Sequence, residues 1–142
     1  MKTRNKTDFI VIHCAATKPS MDIGRKEIDQ WHRRRGWLGI GYHYVIRRDG
    51  TIEVGRNWDA VGAHVRSFNN NSVGICLVGG LDEEGEVDVN YTQPQFDTLD
   101  ALTTTLTRMF PQASVVGHTD LDSHKTCPNF EVSEWWNQVK DG

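Results

Sequence analysis

Apolar residues in this chain fall into short runs that switch between two periodicities, and the switches mark the elements. Phe9-Ile10-Val11-Ile12 is a continuous apolar run with β-branched residues that ends at His13, which suits a strand covered on both faces. Downstream, Ile28, Trp31, His32 and Arg35 share one helical face. That spacing predicts a helix over 25–35, capped upstream by Asp22 and stopped by Gly36 at the C′ position. Tyr42 to Arg47 reads as a strand that turns through Asp49-Gly50 and returns over Thr51-Ile52-Glu53-Val54, a hairpin signature. Val73 to Val78 is a second apolar run, ended by Gly79-Gly80, and is expected to be the central buried strand. Thr92, with Pro94 in the first turn and Gln95 three residues on, opens a helix by a capping box. Phe96, Leu99, Leu102, Thr103, Leu106, Met109 and Phe110 then keep helical spacing up to Pro111. Ala113 to Val116 is expected as a short strand, and a final helix begins at Ser133-Glu134-Trp135-Trp136.

Strands and helices therefore alternate, with one hairpin interrupting. The expected fold class is α/β: a single domain with a central mixed β-sheet flanked by helices. A chain of 142 residues is long enough to bury a core of its own. Residues 1–8 are polar and basic with no pattern that could bury them, so the expected division is a mobile basic tail over 1–8 and one domain over 9–142.

Composition narrows the partners. A formal net charge of -3 with 25% charged residues leaves no electrostatic footprint for nucleic acid. The basic cluster Arg33-Arg34-Arg35, with Arg25 and Lys26 nearby, reads as a solvated helix face. No apolar run is long enough to cross a bilayer, and the apolar run after the basic start is too short for a signal peptide. Three cysteines without a secretory signal point to reduced thiols and a cytosolic location. A monomer is expected.

The candidate chemistry gathers in Gly117-His118-Thr119-Asp120-Leu121-Asp122-Ser123-His124-Lys125-Thr126-Cys127-Pro128. An imidazole, an ammonium and a thiol share this polar loop, and His13 is delivered to a sheet edge by its own strand. In open α/β sheets ligands bind at such edges. His13, His118 and Cys127 together would make a three-ligand zinc site with an open fourth position, the pattern of a catalytic rather than a structural centre. Cys76 lies inside an apolar run and reads as core. Cys14 follows His13 on a strand, so its side chain points to the opposite face. Cys127 lies in a polar loop beside a lysine, a setting that favours thiolate. Among the other histidines, His32 reads as surface or boundary and His43 as core packing or sheet surface. His64 could line a cleft, and His124 could compete with His118. Spacing leaves that choice open.

Several motifs carry a family resemblance. Ile12-His13-Cys14-Ala15-Ala16-Thr17-Lys18-Pro19, Gly41-Tyr42-His43-Tyr44, Arg48-Asp49-Gly50-Thr51, Asn71-Ser72-Val73-Gly74-Ile75-Cys76-Leu77-Val78-Gly79-Gly80 and Lys125-Thr126-Cys127-Pro128 resemble the zinc-dependent N-acetylmuramoyl-L-alanine amidases. Within them the chain is most similar to the small single-domain lysozymes of tailed phages, which share a fold with animal peptidoglycan recognition proteins. The resemblance runs from about Phe9 to Trp136. It implies zinc on His13, His118 and Cys127, with Tyr42 and Lys125 catalytic. It also implies hydrolysis of the amide between N-acetylmuramic acid and L-alanine in bacterial peptidoglycan by a zinc-activated water. The segment from His118 to Lys125 is one residue longer than in the phage enzymes, which leaves room for His124 to approach the site. Relatives that only bind peptidoglycan typically lack the thiol at the position of Cys127, so its presence favours an enzyme.

Three rivals remain at this point. One is a module that binds muropeptide without cutting it. Another is a regulator, since such phage proteins can also bind the phage RNA polymerase. The third is a purely structural zinc completed by His124 or His64. The resemblance further implies an endolysin held in the host cytoplasm until it reaches the cell wall.

Overall fold

The computed structural model describes residues 2–142. Five strands form one sheet: β1 (Phe9–Cys14), β2 (Tyr44–Ile46), β3 (Ile52–Val54), β4 (Ser72–Leu77) and β5 (Ser114–Gly117), in the order β3-β2-β4-β1-β5. β4 pairs in parallel with both β1 and β2, β5 pairs in parallel with β1, and only the hairpin partner β3 runs antiparallel. The expected mixed sheet and single domain are therefore present. The apolar run expected to be central lies in the third of five positions. Its residues are all buried, as a strand covered on both faces must be.

Alternation along the strands sorts the core into two layers. Ile10, Ile12, Ile46, Val73, Ile75 and Leu77 pack on one side with Leu99, Leu102 and Leu106 of α2 (Gln93–Met109). Val45 and Cys76 face the other side, toward Ile28 of α1 (Arg25–Arg34) and Ile40. Each fully buried aliphatic side chain contributes about 1.5–3 kcal/mol, so this sheet forms a platform rigid enough to hold a site at its edge.

Local signals set the element ends. Thr92 Oγ1 accepts from the Gln95 backbone N–H at 3.2 Å, and Gln95 Oε1 accepts from the Thr92 N–H at 3.0 Å, the capping box expected for α2. Gly50 takes φ 90 in the hairpin turn, a conformation that suits glycine. The start of α1 differs from expectation: the cap is Gly24, not Asp22, and the Glu27 carboxylate accepts the Gly24 N–H at 2.8 Å. Asp22 instead meets Arg47 at 3.3 Å. Two further helices, the single-turn α3 (His118–Leu121) and α4 (Val132–Asp141), follow β5.

The N-terminal segment, expected to be a mobile tail, is docked. The Arg4 guanidinium donates to Thr7 Oγ1 at 2.8 Å and to the Ala60 carbonyl at 2.9 Å, and it lies 5.4 Å from the Phe110 ring centroid. Thr3 bridges Ala60 in antiparallel fashion, and Arg4 and Thr7 are buried. A polar segment can bury itself when its donors meet carbonyls, which an apolar pattern does not register. Met1 lies outside the described residues.

Candidate metal centre and its cleft

His13 sits one residue before the end of β1, where parallel strands β1, β2 and β4 all present their carboxyl ends. β5 ends at Gly117, and His118 opens α3 immediately afterwards. Asp120 accepts the Gly117 N–H at 2.8 Å, which turns the chain at that point. The segment from His118 to Lys125 is organised by Asp122. Its carbonyl accepts the Lys125 N–H and its Oδ1 accepts the His124 N–H, each at 3.0 Å, while its own N–H returns to the His118 carbonyl at 3.0 Å. The Thr119 N–H donates to the Cys127 carbonyl at 2.9 Å. These bonds close the loop on itself and bring Cys127 back beside His118.

His13, His118 and Cys127 each offer one ligand atom, and those atoms lie within 4.8 Å of one another. His13 Nδ1 and His118 Nδ1 are 3.1 Å apart. Two nitrogens on a tetrahedral zinc would be separated by about 3.3 Å, close to the pair here, and with the thiol within 4.8 Å of both the donor types suit that ion. Among the described residues no fourth His, Cys, Asp or Glu joins the group. His124 is exposed and stays outside it, and His64 meets only the far nitrogen of His13. The structural-zinc alternative that needed either as a fourth ligand therefore lacks its donor.

Protonation suits cation binding. Burial, reinforced by His64, His118 and His43, holds the His13 pKa well below its ordinary value. Burial also lowers that of His118, with Asp122 opposing and Lys125 adding to the effect. Both rings are thus neutral at neutral pH, the form with a free nitrogen lone pair. The Cys127 thiol is raised by its neighbour Cys14 and by burial, while the Cys14 backbone N–H, which donates to Cys127 Sγ at 2.9 Å, acts the other way. A bound cation would reverse the order by coordinating the thiolate. The Cys14 side chain packs in the α2 layer, off the His13 face of β1, where it still meets the Cys127 thiol.

The centre opens into a cleft of ≈ 760 Å³, walled by Trp37, Tyr42, Val65, Arg66 and Lys125 among others. The Tyr42 ring lies 5.1 Å from His13, centroid to centroid. Burial, aided by the nearby Cys76, Cys127 and Cys14, raises the Tyr42 phenol well above its ordinary value, so it keeps its proton and can donate a hydrogen bond. Lys125 is exposed at the rim, two residues before Cys127. The structure thus brings all five expected site residues to one cleft. A smaller hollow of ≈ 450 Å³ lies between α1 and the segment after β3. Its arginines are committed: Arg25 to the Val54 carbonyl, Arg33 to Asp29, and Arg56 to the Ile40 and Val61 carbonyls.

One histidine differs from expectation and another goes beyond it. His32 is buried rather than a surface or boundary residue: its Nδ1 accepts the Gly41 N–H at 2.9 Å, and the Trp37 ring covers it at 4.5 Å. Burial, with Arg35 and Arg56 adding, brings its pKa down to about 4. His64, expected as a possible cleft residue, does line the cleft but also touches the centre, with Nδ1 at 2.8 Å from His13 Nε2. Sequence spacing did not reveal that contact, although two glycines mark it. A Cβ on Gly74 would lie 2.6 Å from His64 Nδ1, and one on Gly62 would lie 2.6 Å from His64 Cδ2. A glycine inside a strand often signals such a close approach.

Comparison with known proteins gives a consistent picture. The sequence matches the family described as N-acetylmuramoyl-L-alanine amidase over residues 3–130. It is 46% identical over 137 residues to the endolysin of Escherichia phage T7, spanning 96% of this chain and 90% of that protein. Among solved structures it resembles the N-acetylmuramoyl-L-alanine amidase LysC from Clostridium intestinale URNW, with TM-score 0.81 and 32% identity over 95% of this chain and 86% of LysC. The wild-type Drosophila peptidoglycan recognition protein PGRP-LB shares the fold, with TM-score 0.75 and 24% identity over 89% of this chain and 78% of that one.

Proposed function

Because the chain belongs to the N-acetylmuramoyl-L-alanine amidase family, we propose that it is a zinc-dependent phage endolysin whose metal is held by His13, His118 and Cys127. Peptidoglycan amidase activity goes with that membership, and the bond cut joins the lactyl group of N-acetylmuramic acid to L-alanine. The observation that carries the metal reading is the convergence of two neutral imidazoles and one thiol at the floor of an open cleft. Three protein ligands with a free side facing solvent are the arrangement of a catalytic centre.

An unactivated amide resists water, so the reaction needs a stronger nucleophile and a partner for the oxyanion. Bound at this donor set, zinc supplies both as a Lewis acid that acidifies water and polarises a carbonyl. The residues of the chain supply the rest. His13, His118 and Cys127 fix the position of the charge at the cleft floor. Lys125 brings an ammonium to the rim, where negative charge develops on the carbonyl oxygen as the amide is attacked. Tyr42 keeps its phenol proton and donates a hydrogen bond into the reacting group, so its part is orientation or proton donation rather than base catalysis.

Incubation with purified peptidoglycan, scored by new L-alanine amino termini, tests the reading. Chelation should abolish their release and added zinc should restore it. The fold should largely survive, because most of the core is made by aliphatic side chains of the sheet and α2 rather than by the three ligands. Release at the full rate from chelated protein would overturn zinc dependence. Peptide binding without any new termini would favour the non-cutting alternative.

A further inference from the structure

Behind the ligand face of His13 runs a chain of hydrogen bonds that the proposed chemistry does not use. His13 Nε2 meets His64 Nδ1 at 2.8 Å, His64 Nε2 meets Ser72 Oγ at 3.1 Å, and Ser72 Oγ lies 2.7 Å from the Phe68 carbonyl oxygen. His13, His64 and Ser72 are all buried, so bulk water competes little for these links.

The direction of every proton in this chain is forced. A carbonyl oxygen only accepts, so the Ser72 hydroxyl gives its proton to Phe68. Ser72 Oγ must then accept from His64 Nε2, which therefore carries the His64 ring proton. A neutral imidazole has one donor and one acceptor nitrogen, so His64 Nδ1 is the acceptor. The proton between the two rings belongs to His13 Nε2, and His13 Nδ1 is left with a bare lone pair facing His118 Nδ1 at 3.1 Å.

The surroundings keep the His64 ring in this pose. Gly62 and Gly74 form a slot in which either added Cβ would come within 2.6 Å of the ring. The backbone N–H groups of His64 and Val65 both donate to Asn69 Oδ1, at 2.8 and 2.9 Å. The Phe68 carbonyl that ends the chain belongs to the same turn, and Ser72 opens the central strand β4. The segment from His64 to Ser72 is thus a closed unit that delivers one oriented acceptor to the back of His13.

We propose that His64, held by Ser72 and Phe68, is a positioning residue that fixes His13 as the Nε2–H tautomer and so presents its Nδ1 lone pair to the metal. Its functional consequence rests on the zinc reading above, but the tautomer is a property of the chain itself. Ligand histidines commonly depend on such an outer partner, whose loss weakens metal binding about 10–100-fold.

Two measurements on the full chain test this. Long-range proton–nitrogen NMR of the imidazoles should find His13 protonated at Nε2 and unprotonated at Nδ1; a proton on Nδ1 would overturn the proposal. Zinc competition with a chelating dye should show His64→Ala binding about 10–100-fold more weakly. His64→Asn, whose Oδ1 can occupy the place of the Nδ1 acceptor, should recover most of that loss. Equal losses in both variants, or none in either, would show that the ring only fills space. Wild-type protein that takes up no zinc would sink the metal reading alone, and the position of the His13 proton would still decide for or against His64.

Discussion

Lowering the pH in the presence of a chelator should load protons onto histidines that the fold keeps neutral, and for His43 the loss can be worked out. This ring is fully buried in the core, and both nitrogens are committed. Nδ1 accepts the Gly74 N–H at 3.0 Å and Nε2 lies 2.7 Å from the Ala60 carbonyl. A second ring proton would face the Gly74 donor head on. Burial brings the His43 pKa down to about 4, with the Ala60 carbonyl opposing and Arg4 and Arg56 adding, whereas the unfolded chain has a value of about 6.5. The folded value lies below the unfolded one, so the unfolded state binds more protons between them. Stability is full above about pH 6.5 and is lost as the pH falls toward 4. Between about pH 7 and about pH 5 the linkage relation assigns roughly 2 kcal/mol to His43 alone. His13 and His64, also held low by burial, act in the same direction. Urea unfolding at both pH values, on wild type and on His43→Gln, isolates the contribution: wild type should lose about 2 kcal/mol more than the variant. Equal losses would show that His43 is not the group that titrates.

The slot around His64 gives a second prediction. Gly74→Ala places a Cβ 2.6 Å from His64 Nδ1 and 2.7 Å from Cγ, so the urea midpoint should fall by the equivalent of about 1–3 kcal/mol and zinc affinity should drop with it. An unchanged midpoint and affinity would mean that the ring yields freely. Lys125→Ala should keep wild-type zinc content and stability while turnover falls on the order of 10²-fold. Loss of metal or of the fold instead would make the lysine structural.

What the sequence revealed of this protein was largely what is local. The apolar run of β4, the Asp49-Gly50 hairpin and the Thr92–Gln95 cap depend on residues a few positions apart, and each lies where its pattern put it. β2 is shorter than its alternating pattern, since Tyr42 and His43 precede it. Contacts between distant segments were less legible. Nothing near His32 in sequence shows that the loop after α1 folds back so that Gly41 donates to its ring. The docking of Arg4 depends on Ala60 and Phe110, far along the chain. α3 has four residues, too few to show a helical period. His118 and His124 could not be ranked by spacing. The bonds of Asp122 separate them, leaving His124 exposed while His118 faces His13. The family motifs contained four of the five expected residues now found around one cleft, His13, Tyr42, Lys125 and Cys127. The motif run through Ser72 and Gly74 also contained the mark of the His64 slot, in a glycine whose purpose only the fold reveals.

If His13, His118 and Cys127 hold the metal of a working amidase, metal content and activity must fall together when one ligand is removed. Zinc per chain, measured by elemental analysis alongside release of L-alanine amino termini from peptidoglycan, should be about one in wild type and clearly lower in Cys127→Ser, with activity lost in parallel. A Cys127→Ser protein that keeps both its zinc and its activity would contradict the assignment of the centre.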